Sequence, residues 1–232
     1  VFEVLHPHKN ELITQPEYIQ LAAEHGFQLP NEYVGGRCPV CKRRMKVRAG
    51  HKKDDGHFYH NDKLFCPTKD PASRPYLGKT PTNADPVAAA RNREFARNNI
   101  NAIWSRLNEM VPYLDLKEFV SILEEARRIN VYGYVDLDPT ILPYVYVTLI
   151  NFLPSKSRNK QRKFKFCFFY EAEVKDYEDL WIDRGRECHL SRISYDGNQT
   201  KRVKVFEMER EYLTRVEYPL SERQEQWVSS VC

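Results

Sequence analysis

Cys38-Pro39-Val40-Cys41 constrains this chain more than any other feature, because two thiols at that spacing can be aimed at one tetrahedral ion by a tight turn. A second half follows at His57-Phe58-Tyr59-His60 and Cys66. The separation suits a small zinc ribbon, in which two short segments each bring ligands to a shared Zn²⁺. Five candidates compete for four positions. The preferred set is Cys38, Cys41, His60 and Cys66, since His60 begins the turn leading to Cys66 whereas His57 lies at the far end of the strand-like HFYH; His57 is the first substitute. Four protein ligands leave no position for water, so zinc held this way is structural rather than catalytic. A redox CxxC of thioredoxin type would need a βαβ setting that this segment does not show.

The other cysteines do not extend the cluster. Cys167, between Phe166 and Phe168, reads as a small buried hydrophobe, while Cys188 beside His189 and the terminal Cys232 stand apart. The spacing is therefore that of metal chemistry and not of a disulfide framework. The longest apolar run, Ile141 to Leu153, is thirteen residues interrupted by Pro143 and Asn151, and a membrane span needs about 20. Val1 to Asn10 shows no secretory pattern. A cytoplasmic protein with no membrane partner is expected.

Charge is sorted along the chain. The formal net charge is +4, but residues 33–106 hold sixteen Lys and Arg against six acids, a net of +10 that leaves −6 for the remainder. A second basic run, Lys156, Arg158, Lys160, Arg162, Lys163 and Lys165, lies in a stretch without acids from Pro139 to Tyr170. Clustered like charges repel, and a polyanion that neutralises them gains affinity by releasing counterions. A solvated loop is the plain alternative for either run taken alone; together the two favour nucleic acid.

The periodicities give an α+β chain: a small N-terminal zinc ribbon, a helical pair, then a mainly antiparallel sheet. Residues 1–32 read as a helical lead-in opened by Pro16 and closed by Gly26, 33–84 as ribbon and linker, and 85–232 as the α+β domain. Asp85-Pro86 opens one helix, with Phe95, Ile100, Ile103, Trp104 and Leu107 on its apolar face. Asp115 with Glu118 opens a second by a capping box, and the two should pack together. Val131 to Val135, Tyr144 to Ile150, Phe164 to Val174, His189 to Tyr195 and Val203 to Met208 read as strands, the last two joined by a hairpin turn at Asp196-Gly197-Asn198.

The cysteine and histidine pattern, with Met45-Lys46-Val47-Arg48 between its halves, resembles the N-terminal zinc ribbon of competence protein CoiA-like proteins. The likeness covers about thirty residues. It implies nucleic-acid handling in a bacterial setting; the nuclease-like domain that follows the ribbon in such proteins has no clear counterpart here.

Three functions follow. The preferred one is a non-catalytic, zinc-bearing subunit of a bacterial or mobile-element nucleoprotein or defence complex, CRISPR-type by analogy. It would bind DNA or RNA through Arg43, Arg44, Lys46, Arg48, Arg91, Arg97, Lys156, Arg158, Lys160, Arg162 and Lys163, with the acidic remainder meeting other protein subunits. The second is a Mg²⁺-dependent nuclease of restriction-endonuclease type, in which Asp138 and Glu173 hold the metal and Lys175 stabilises developing phosphate charge. The third is a protein-interaction module with a structural zinc. No Gly-rich phosphate loop is present, which excludes the common nucleotide-driven motors.

Overall fold

The computed structural model describes residues 1–48, 56–69, 79–81, 83–155, 161–170, 189–197 and 199–232. Its architecture is α+β, with two antiparallel sheets and six α-helices among the described residues. None of these helices is long and apolar enough to cross a membrane.

The first sheet has the order β2-β1-β3-β4-β5, formed by β1 (Glu3–Leu5), β2 (Leu12–Thr14), β3 (Gly36–Arg37), β4 (Arg44–Arg48) and β5 (His57–Tyr59). Helix α1 (Gln15–Glu24) leaves β2 directly. The Glu17 carboxylate accepts from both the N–H and the hydroxyl of Thr14, and Gly26 follows the helix with φ of +84°, a conformation suited to glycine. The helical lead-in therefore exists, but two strands precede it and share a sheet with the cysteine segment. Three-residue strands such as EVL and LIT are too short to announce an alternation.

The helical layer follows. Asp85 caps α2 (Pro86–Asn98) by accepting from the N–H groups of Val87 and Ala88, and the Asp115–Glu118 capping box opens α4 (Leu116–Arg128). The single helix expected from Asp85 is interrupted at Asn99, after which α3 (Ile100–Met110) begins. Asn99 turns its amide back onto the Phe95 carbonyl, the kind of local competition with the backbone that Asn offers. The helical pair meets where Trp104 of α3 packs on Phe119 of α4, ring centroids 5.2 Å apart.

Two expected strands are helical. Val131–Gly133 is a 3₁₀ turn, and Tyr144 to Ile150 falls largely in α5 (Leu142–Leu149), opened by Pro143. All eight residues of α5 are buried. A segment covered on every side carries no polar face, so its period cannot be read and its β-branched and aromatic content misleads.

The second sheet, β6 (Lys165–Tyr170), β7 (His189–Asp196) and β8 (Gln199–Glu207), joins its last two strands through the expected turn, with Gly197 at φ of +57°. Both faces are buried. Phe166, Phe168, Tyr170, Leu190 and Phe206 pack into the helical core, while Cys167, Phe169, Ile193, Tyr195 and Val203 pack with Val4, Tyr18, Met45, Val47 and Phe58 of the first sheet and α1. Helix α6 (Glu222–Val231) closes the helical side through Val228.

Arg162 sits inside this assembly. Only 4% of its side chain is exposed, its guanidinium pairs with Glu118, and it donates to the carbonyls of Leu153 and Tyr113. A buried cation stripped of its counterion is far costlier than the intact pair is favourable. Glu118→Gln should lower the unfolding free energy by about 2–4 kcal/mol in urea titrations, below the full value for a buried pair because Glu118 keeps some exposure. An unchanged midpoint would show that Arg162 does not depend on that charge.

Candidate metal centre

The two halves of the cysteine pattern reach one point from opposite sides of a β-hairpin. Between β3 and β4 the chain makes a tight loop in which the Cys38 N–H donates to the Arg43 carbonyl and the Lys42 N–H to the Cys38 carbonyl. Lys42 takes φ of +60° to complete the turn. The loop brings Cys38 and Cys41 side by side at the start of β4. The partner strand β5 ends at Tyr59 and delivers His60 next to them, and a turn closed by the Lys69 N–H on the Cys66 carbonyl supplies Cys66.

The ligand atoms of Cys38, Cys41, His60 and Cys66 all lie within 4.8 Å of one another, an arrangement that could hold a metal ion. The Cys38 and Cys66 sulfurs are 3.8 Å apart, and the Cys41 sulfur is 3.7 Å from His60 Nε2. Cys38 and Cys66 are fully buried. These are the four side chains preferred on spacing. His57, the substitute, is paired with Arg48 across the β4–β5 ladder and stacks edge-on against Tyr59, outside the cluster.

Three further residues complete the centre. His60 Nδ1 lies 3.8 Å from Asp62 Oδ2, too far for a hydrogen bond, and has no hydrogen-bond partner among the described residues. Thr68 Oγ1 lies 3.2 Å from the Cys66 sulfur. Arg43 donates Nε–H to the Cys41 sulfur at 3.3 Å, Nη1–H to Asp62 at 2.8 Å and Nη2–H to the Phe65 carbonyl at 2.7 Å. Arg43, expected to meet phosphate, thus has its donors turned inward. Spacing alone does not point to Asp62 or Thr68; the only trace in the sequence is an Asp two residues after His60.

The electrostatics favour a thiolate. Hydrogen bonds from Cys38 and Cys66, supported by His60 and Arg43, hold the Cys41 thiol far below its ordinary range against the opposing effect of burial. Cys38 is pushed the other way by sharing protons with Cys41 and Cys66 and by burial. Burial opposes the charge on His60, yet its bonds to the sulfurs of Cys41 and Cys66 push it up to about 9.

The remaining candidates are dispersed. Arg44, Lys46 and Arg48 point outward from β4, alternating with buried Met45 and Val47. Arg91 and Arg97 are exposed on α2, which packs on the 3₁₀ turn at Val131–Gly133. Lys163 is exposed, whereas Lys156, Arg158 and Lys160 lie outside the described residues. Asp138 accepts from the backbone and hydroxyl of Thr140 and pairs with Arg210 at 2.5 Å; Glu173 and Lys175 lie outside the described residues, so the nuclease constellation has one placed member, and it caps a 3₁₀ turn. Comparison with family models, with curated proteins and with solved structures finds no match to this chain.

Metal uptake must displace the protons that His60 and Cys38 keep at neutral pH. Affinity should therefore fall as pH is lowered. Calorimetry at pH 7 in buffers of different ionisation enthalpy should show about two protons released from these two groups. Release of fewer would contradict the assignment. Cys38→Ser should abolish stoichiometric uptake.

Proposed function

We propose that this chain is a structural-zinc protein that binds nucleic acid through the outer face of the β4–β5 hairpin, as a non-catalytic subunit of a bacterial or mobile-element nucleoprotein complex. Three sulfurs and one imidazole are the donor set of closed zinc sites, and sulfurs 2.3 Å from a tetrahedral Zn²⁺ lie about 3.8 Å apart, the separation of Cys38 and Cys66. Thiolate ligation suits a compartment that keeps thiols reduced, hence the cytoplasm. The resemblance to a CoiA-like ribbon agrees in class.

The observation that carries the nucleic-acid reading is the composition of this face. Arg44, Lys46 and Arg48 are exposed in a row, and their cross-strand neighbours are Arg37, Tyr59 and His57, none of them acidic. Like charges gathered on one face repel, so Arg44, Lys46 and Arg48 carry a cost that a polyanion would relieve. The Arg48 guanidinium lies 5.2 Å from the Tyr59 ring centroid, joining a cation to an aromatic surface of the kind that receives phosphates and bases. Lys46 has no ion pair among the described residues. The acidic remainder of the chain is left for protein partners.

Affinity for DNA or RNA should fall steeply with salt. Lys46→Ala combined with Arg48→Ala should reduce the slope of log affinity against log salt by about 2, roughly one unit for each phosphate that is no longer neutralised. Titration by fluorescence anisotropy between low and moderate salt reads it directly. An unaltered slope would remove this face from the interface, and strand cleavage in Mg²⁺ would replace the binding module by a nuclease.

A further inference from the structure

Beside the basic row, the β4 hairpin, the 3₁₀ turn at Pro30–Glu32 and the segment after β5 enclose a cleft of about 330 Å³. That is the low end of the range for small-ligand sites, about 300–1,000 Å³. We propose that this cleft receives one unstacked nucleotide unit, its phosphate on Arg44 and Lys46 and its base against Asn31, Asn61 and Tyr33. The inference rests on the nucleic-acid reading above and narrows it to single strands, since a base must leave its stack to enter.

Several polar groups around the cleft keep hydrogen-bonding capacity that the described residues do not use. Asn31 accepts the Val47 N–H through Oδ1 at 2.9 Å, which fixes the amide and leaves its NH₂ as donor. Asn61 is exposed at the rim, with neither amide atom engaged by a described residue. Asn amides present the donor and acceptor groups that match base edges. Tyr33 is only 7% exposed, its ring held among those of Tyr18, His25 and Phe27 at centroid distances of 6.0, 5.0 and 5.3 Å, yet its hydroxyl has no hydrogen-bond partner among the described residues. Native structures seldom leave a buried hydroxyl unpaired unless something else is met there.

The charges agree with an anionic ligand. Arg44 uses one nitrogen on the Val34 carbonyl and keeps its other donors, and Lys46 is exposed beside it. Asp62, also on the wall, is neutralised by Arg43 and by Lys69 at 3.6 Å. Gly35 forms the wall nearest β4: at φ of +82° it donates its N–H to the Tyr18 hydroxyl, and a Cβ there would meet the Met45 carbonyl oxygen at 2.9 Å.

The test uses the full zinc-loaded chain with four probes: a short labelled single strand, its blunt duplex, adenosine 5′-monophosphate and uridine 5′-monophosphate. The single strand should bind about tenfold tighter than the duplex at equal salt. Tyr33→Phe should weaken single-strand binding about fivefold, the effect of one hydrogen bond, leave duplex binding unchanged and raise rather than lower Tm. Asn61→Ala, at an exposed position where folding is not at risk, should also weaken the single strand selectively. Equal affinity for strand and duplex, indifferent to both variants, would overturn the cleft while leaving the β4–β5 interface standing. Monophosphates bound in a Tyr33-dependent way, with neither strand nor duplex bound, would keep the cleft as a free-nucleotide site and overturn the nucleic-acid reading. Failure of all four probes to bind would overturn both.

Discussion

A three-stranded sheet with two apolar faces is stable only when both are covered, and β6-β7-β8 imposes that condition on everything else in the chain. Phe166, Phe168, Leu190 and Phe206 turn one way, and Cys167, Phe169, Ile193 and Val203 the other. Burial of a large apolar side chain contributes on the order of 1.5–3 kcal/mol, so neither face can be left in water. The helices supply one cover. The other is the N-terminal sheet with α1, whose own strands are too short to make a core alone. The Tyr195 hydroxyl, from β7, donates to the Pro67 carbonyl at 3.0 Å, so the sheet contacts the chain one residue beyond Cys66. The segment that carries the candidate ligands is thus seated on the central sheet rather than hanging from it.

This seating explains why the basic row has a definite direction. In β4 the side-chain period of two sends Met45 and Val47 to the core and Arg44, Lys46 and Arg48 to the opposite face; a slip of one residue would bury three cations. Cys41 precedes the strand and His60 follows its partner β5, so metal ligation would fasten the same hairpin at its base. A bound ion would then hold the register that exposes the cations and, under the proposed function, would act on nucleic-acid affinity without touching nucleic acid.

What could be read from the sequence follows from how local each determinant is. That His60 rather than His57 joins the cluster was legible because His60 sits where the chain turns back, and β5 places His57 one strand length away. Caps at Asp85 and Asp115 were legible because each is closed within three residues. Helix α5 was not, since burial on all sides removes the polar face that distinguishes a period of 3.6 from one of 2. Strands β1 and β2 were hidden by brevity. The cleft walled by Tyr33, Asn31 and Arg44 gave no signal, because residues from three segments meet there only after the hairpin and the 3₁₀ turn have formed.

Charge shows the same limit more sharply. A count over residues 33–106 gives +10, but a count does not say which cations have donors left. Arg43 turns toward Cys41, Asp62 and Phe65; Arg162, in the second basic run, is buried against Glu118; Arg37 donates to the carbonyls of His6 and Lys9. Guanidinium groups are suited to this inward use because their planar fork can satisfy several acceptors at once, whereas lysine offers a flexible point charge. In a chain where the Cys38–Cys41 loop and a buried pair both use such a fork, some arginines are withdrawn from the surface. The cations left on the surface are therefore fewer than the sequence implies, and those of β4 alternate with Met45 and Val47 on a strand held in one register.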